Sequence, residues 1–200
     1  MSNSKEHILR TSFCLFLQRS FKEVTMNEIV NATGLSKGAF YHYFQSKEHL
    51  FVEVINTFFF DQMMIDCRKL SQNSLWEFYH DYAEQFKKTL IACRQYLNYC
   101  DTKANMNYLT LMFDALNLFP GFRGKLREAE QNELDAWTSV VRMSRSNREF
   151  SSPMSDEQIA RMFIYSNAGI GLHLLLNGDF DTVDHEMLTL WDNFYRELKD

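Results

Sequence analysis

The sequence predicts an all-α fold: a small N-terminal helix-turn-helix domain over residues 1–50, followed by a larger helical domain over 51–200. Three observations carry this. Two Pro and seven Gly in 200 residues leave too few tight turns for an all-β chain. A hydrophobic fraction of 46%, with 18 Phe, is ample for a packed core. Apolar residues also recur at helical spacing from residue 5 onward.

Composition narrows the setting. The apolar runs at 57–60 and 172–176 fall far short of the ~20 residues a spanning helix needs. The opening MSNSKEH lacks the charged-then-apolar order of a secretion signal, so a cytoplasmic chain with no membrane partner is expected. Cys14, Cys67, Cys93 and Cys100 form no CxxC pair and read as reduced thiols, Cys93 and Cys100 as buried ones. The net charge of −5 disfavours polyanion binding by the whole molecule. Residues 1–50, however, carry six basic against four acidic side chains, a local +2.

In the first helix, over 5–19, Ile8, Leu9, Phe13, Leu15 and Phe16 make an apolar stripe. Thr25-Met26-Asn27-Glu28 has the form of a capping box and opens a second helix with Met26, Ile29, Val30 and Thr33 inward. Gly34 then suits a left-handed helix end, and Ser36 can cap the third helix. In that helix Ala39, Phe40, Tyr43 and Phe44 share the expected inner side, while Lys37, Gly38, Tyr41 and His42 lie outward. Ser46 starts a fourth helix with Lys47 in its first turn.

Two short helices joined at a tight Gly turn form a helix-turn-helix. Its second helix enters the major groove by its N-terminal end. Lys37 can there reach guanine O6/N7 or phosphate, Gly38 admits close backbone approach, and Tyr41 and His42 offer ring contacts and hydrogen bonds. Thr25 and Lys47, each opening a flanking helix, are placed to clamp phosphates. The same pattern also occurs as plain core packing.

The run from Ile8-Leu9 through Phe21-Lys22-Glu23-Val24-Thr25, Gly34-Leu35-Ser36-Lys37-Gly38-Ala39-Phe40-Tyr41-His42-Tyr43-Phe44 and Lys47-Glu48-His49-Leu50 closely resembles the DNA-binding domain of TetR-family transcriptional regulators. The resemblance covers about residues 5–51. It implies DNA contacts at Thr25, Ser36, Lys37, Gly38, Tyr41, His42 and Lys47, and a larger domain that dimerises and binds an effector. Ser20 replaces the family's usual Gly, which costs something if that turn needs positive φ, and Val30 and Thr33 replace its usual Ala pair.

Beyond residue 51 the sequence predicts only helices: a long one over 47–70, others over 74–92 and 96–118, a stop at Pro120-Gly121, then 122–146, 155–177 and 182–198. The 155–177 helix is apolar on more than one side and is rich in small residues. Ile159, Met162, Phe163, Ser166, Gly169, Ile170 and His173 are the candidate dimer seam, with 122–146 as partner element.

Candidate effector-binding residues are Phe59, Met63, Phe78, Tyr82, Phe86, Tyr96, Tyr108, Met112 and Trp137, with Tyr82, Tyr96, Asn107 or Tyr108 orienting a mostly apolar ligand. Most of these large side chains are core. Asp179, Asp181 and Asp184 lack the Gly and Glu of a calcium loop. His80, Asp81 and Glu84 read as a wet helix face, so no metal or cofactor is expected. No nucleophile–base spacing suggests an enzyme. The expected function is a homodimeric repressor that a small effector releases from operator DNA; the alternative is a helical ligand-binding or sequestering protein.

Overall fold

The computed structural model describes residues 3–100, 105–177 and 183–199. Nine principal helices run through them: α1 (Asn3–Gln18), α2 (Met26–Thr33), α3 (Lys37–Tyr43), α4 (Lys47–Ile55), α5 (Leu75–Tyr99), α6 (Asn105–Leu118), α7 (Pro120–Ser146), α8 (Asp156–Asn177) and α9 (Val183–Lys199). The chain forms two compact units, Met1–Met64 with Cys93–Gly124 and Ile65–Ala92 with Lys125–Asp200. Helices α5 and α7 therefore each contribute residues to both.

In the first unit α1 packs against α2, α4 and α6. Its stripe is buried as expected at Ile8, Leu9, Phe13 and Phe16, and Leu17 joins it. Burying one such side chain stabilises by about 1.5–3 kcal/mol. Ser12 is buried too; its hydroxyl donates to the Ile8 carbonyl (2.7 Å), so no polar group is left unsatisfied there.

Four sequence expectations change here. The helix expected over 47–70 ends at Met63, after a π-helical turn over Asn56–Phe60. In that turn Phe58 is buried and stacks on Phe13 (4.4 Å between ring centroids), and Met64 then leaves helical geometry with ψ 129°. The helix expected to stop near 92 continues to Tyr99. Pro120 opens a helix as well as ending the one before, because a missing N–H costs nothing in a first turn. Finally, Cys14 of α1 and Cys100 form a disulfide, with Cα atoms 5.0 Å apart. Cys67 is a free buried thiol, pushed up to about 12 by desolvation, and the Cys93 side chain lies outside the described residues.

The second unit is built on rings. Trp137 stacks on Phe163 (4.9 Å) and meets Trp191 edge-on (5.6 Å), and Phe78 and Tyr79 are fully buried beside them. Its loop at 147–155 is tied by Arg145, which donates to Asp156 (2.8 Å) and to the carbonyls of Ser152 (2.7 Å) and Met154 (2.6 Å). Glu149 accepts from the Leu75 and Trp76 N–H groups (3.2 Å each), capping α5 from a distance. Burial alone would raise the pKa of that carboxyl, but these bonds and those from Ser144 and Tyr195 outweigh it and hold it low. Among the described residues no helix is long and apolar enough to cross a membrane.

Candidate nucleic-acid interface

The site is assembled from local sequence signals. Thr25 is extended (φ −101°) and its hydroxyl accepts from the Glu28 N–H (3.3 Å). Glu28 reaches back to the Thr25 N–H and hydroxyl, both at 2.7 Å, and Arg19 pairs with it at 2.9 Å. The hydrogen bonds from Thr25, then Arg19, hold the Glu28 carboxyl down to about 2. Gly34 ends α2 at φ +66°, where a side chain would be strained, and its N–H donates to the Asn31 carbonyl (3.2 Å). Ser36 caps α3 by accepting from the Ala39 N–H (3.3 Å).

Helix α3 is anchored by one face. Phe40 and Phe44 are fully buried, whereas Lys37, Gly38, Tyr41 and His42 are exposed. Ala39, expected inward, is also exposed, because seven residues present only a narrow buried stripe. A Cβ placed on Gly38 would meet nothing within 4 Å, so packing does not require glycine there. Ser20 has no positive φ among the described residues, and its N–H donates to Glu23 (3.2 Å), so the expected turn penalty does not arise.

Lys47 does more than the sequence implied. Its ammonium donates to the carbonyls of Phe21 and Val24 (2.8 Å each) and sits 4.3 Å from the Phe21 ring centre. It stitches the α1–α2 turn to α4, with one N–H remaining for another partner.

The expected effector residues divide between the units. Phe78, Tyr82, Phe86 and Trp137 gather in the second, with Tyr82 5.3 Å and Phe78 4.7 Å from Trp137 between ring centroids. Phe59, Tyr108 and Met112 belong to the first. The side chains of Met63, Tyr96 and Asn107 lie outside the described residues. Sequence reading missed Glu133 and Asn167, the polar partners of Tyr82 in the second unit. The Tyr82 hydroxyl donates to Glu133 (2.7 Å) and accepts from Asn167 (3.1 Å). Glu133 stands one helical turn before Trp137, and that i, i+4 spacing was the available signal.

Of the expected dimer seam, Ile159 and Phe163 are fully buried within the protomer and belong to its core. Ser166 accepts from the Trp191 indole N–H (2.8 Å), and Ile170 packs on the same core. Met162, Gly169 and His173 are exposed, beside an apolar set that includes Tyr165, Leu172 and Leu176 on α8 and Leu190 on α9. The exposed side chains of α7 from Arg123 to Arg142 are polar. His80, Asp81 and Glu84 serve the fold: His80 lies 2.8 Å from the Trp76 carbonyl, Asp81 accepts from the Ser71 N–H (2.7 Å), and Glu84 pairs with Lys88 (2.7 Å). Asp179 and Asp181 lie outside the described residues, as does the Asp184 side chain.

A capped helix, a left-handed glycine turn and a second short helix with an exposed polar face define a helix-turn-helix protein of the DNA-binding class. Residues 8–54 match the family described as "Bacterial regulatory proteins, tetR family". An uncharacterized HTH-type transcriptional regulator of Bacillus subtilis, YerO, is 48% identical over 50 residues, which is 25% of this chain and 17% of that protein. The HTH-type transcriptional regulator QacR of Staphylococcus aureus is 24% identical over 159 residues, 74% of each chain. The crystal structure of NalD, the secondary repressor of the MexAB-OprM multidrug efflux pump in Pseudomonas aeruginosa, superposes with a TM-score of 0.68 over 98% of this chain and 96% of that one, at 18% identity. Residues 8–54 thus carry an N-terminal domain of the tetR family of bacterial regulatory proteins.

Proposed function

We propose that the protein is a homodimeric repressor that reads an operator with α3 and leaves it when a small, mostly apolar effector binds. The observation that carries this is the division of α3 itself. Two fully buried Phe rings fix the helix, while Lys37, Gly38, Tyr41 and His42 are exposed, Tyr41 and His42 meeting the rings of their chain neighbours Phe40 (5.7 Å) and Tyr43 (5.2 Å) edge-on. Ser36 keeps its O–H to donate, and Lys47 one N–H, for phosphate. Thr25 spends its hydroxyl proton on Glu28, so its contribution is to orient α2.

The exposed apolar side chains of α8 and α9 support a two-fold seam between copies. A dimer is what gives two recognition helices the ~34–36 Å spacing of successive major grooves. The effector must bind the released state more tightly than the DNA-bound one, since only differential affinity shifts the balance.

The test is fluorescence anisotropy with DNA flanking the protein's own gene, at fixed salt. Lys37→Ala and Tyr41→Ala should each cost about 1–3 kcal/mol of specific binding. Unchanged affinity in both variants overturns the recognition assignment. Ligand binding with no footprint on that DNA would favour a sequestering protein.

A further inference from the structure

We propose that His7 of α1 is a positioning residue for operator recognition: by holding the peptide group between Thr33 and Gly34, it sets the angle at which α3 meets DNA. The proposal rests on the reading of α3 as the recognition helix and adds a residue outside the helix-turn-helix pair.

The joint before α3 is a single peptide plane. A peptide group is rigid, so its carbonyl and its N–H move together. In the group between Thr33 and Gly34, the N–H donates to the Asn31 carbonyl (3.2 Å) and the carbonyl accepts from His7 Nε2 (3.0 Å). A carbonyl only accepts, so Nε2 is the ring nitrogen that carries a proton. The plane is thus tied at one end to α2 and at the other to α1. Gly34 follows at φ +66°. With no Cβ, glycine moves between backbone wells more readily than other residues, so Gly34 by itself does not fix where the chain goes next. The bonds on the plane before it do.

Thr33 adds to the same joint. Its hydroxyl donates to the Val30 carbonyl (2.7 Å) and accepts from the Leu35 N–H (3.4 Å), which bridges the turn across Gly34. The far end of α3 is held by burial: Phe44, its C-cap, is fully buried, and Lys5 of α1 stands 5.8 Å from that ring centre while donating to Glu53 of α4 (2.9 Å). The opening turns of α1 therefore reach both ends of α3, and the end with the glycine joint is the one His7 holds.

His7 is half-buried, so water can serve the Thr33 carbonyl once the imidazole is gone. Water cannot join that carbonyl to α1. Loss of the bond is felt in the direction of α3 more than in the stability of the fold. Base-edge contacts need α3 in register, whereas non-specific binding needs only charge near phosphates. A positioning role therefore lowers operator affinity and spares affinity for mixed-sequence DNA.

The experiment compares His7→Leu, of similar bulk without a donor, with His7→Gln, whose amide N–H reaches about as far as Nε2. Anisotropy at fixed salt reads operator and mixed-sequence duplexes of equal length, urea titration reads stability, and hydrogen exchange without DNA reads the Gly34 and Leu35 amides. His7→Leu should weaken operator binding about three- to tenfold, the range one net hydrogen bond allows, with mixed-sequence binding unchanged. Its Gly34 and Leu35 amides should exchange faster, and His7→Gln should restore both readouts. An unchanged operator-to-mixed ratio in His7→Leu overturns the proposal. So does an equal loss on both duplexes with a lower urea midpoint, which marks a stabilising role only, or a defect that Gln does not restore. If His7→Leu fails to fold, nitrogen NMR of the unaltered protein decides: a proton on Nε2 coupled to the Thr33 carbonyl supports the tie, and an unprotonated Nε2 sinks it. If the unaltered protein binds no operator, the reading of α3 fails. The exchange comparison then still tests the joint, faster exchange in Leu but not in Gln upholding it and equal exchange refuting it.

Discussion

Lys47→Met isolates the residue whose role the structure changes most. Methionine keeps most of the aliphatic stem and removes the ammonium. Lost with it are two charge-assisted hydrogen bonds to the Phe21 and Val24 carbonyls and a cation–π contact at 4.3 Å. Bonds to a charged group contribute about 1.5–3 kcal/mol each, and an exposed cation–π contact about 0.5–1 kcal/mol. Lys47 is only half buried, so water can partly replace the lost donor and the sum is an upper bound. We expect a loss of about 2–3 kcal/mol, read as a lower urea midpoint at unchanged slope. The remaining N–H sets a second readout. If it holds one phosphate, the plot of log affinity against log salt should lose about 0.9 of slope per DNA-bound Lys47. A midpoint within error of the unaltered protein refutes the stitching role. Destabilisation with an unchanged salt slope refutes the phosphate contact and leaves Lys47 purely structural.

Two further outcomes test the geometry around it. Glu28 is held down to about 2 from an ordinary 4.5, first by Thr25 and then by Arg19, so its contribution is complete above pH 4.5 and is lost as pH falls through about 2. Carboxyl titration by NMR should show that low midpoint and its return toward 4.5 in Thr25→Ala; an ordinary midpoint in the unaltered protein refutes the capping box. The Cys14–Cys100 disulfide spans 86 residues of sequence, for which loop-closure entropy gives about 4–5 kcal/mol. Reduction, or Cys14→Ser, should therefore lower the guanidinium midpoint of the first unit, and identical midpoints with all thiols alkylated before reduction refute the bond.

What could be read from the sequence was local. The Thr25 box, the Gly34 turn and the Ser36 cap each depend on residues within four positions, and each forms as expected. Burial of Phe40 and Phe44 followed from helical period alone. What escaped depends on distant partners. No spacing rule links Cys14 to Cys100, Lys47 to the Phe21 carbonyl, or Asn167 to Tyr82. Helix α8 misled for another reason: being apolar on several sides, it could not reveal which stripe faces its own core. Ile159 and Phe163 take that stripe, leaving Met162, Tyr165 and Leu172 outside.

The long-range contacts converge on Phe21, and this bears on how the reader is controlled. Its ring meets Phe51 of α4 (4.7 Å) and Phe119 beyond α6 (5.5 Å), and its N–H donates to Asp114 of α6 (3.0 Å). Its carbonyl takes the Lys47 ammonium. The turn that launches α2, and through Gly34 sets the angle of α3, is thus held as much by α6 as by the helix-turn-helix itself. The first compact unit takes in Cys93–Gly124 together with Met1–Met64. Displacement of α6 against α1 would pull on the Phe21 N–H and ring and, through the Phe21 carbonyl, on Lys47, by bonds no longer than 3.0 Å.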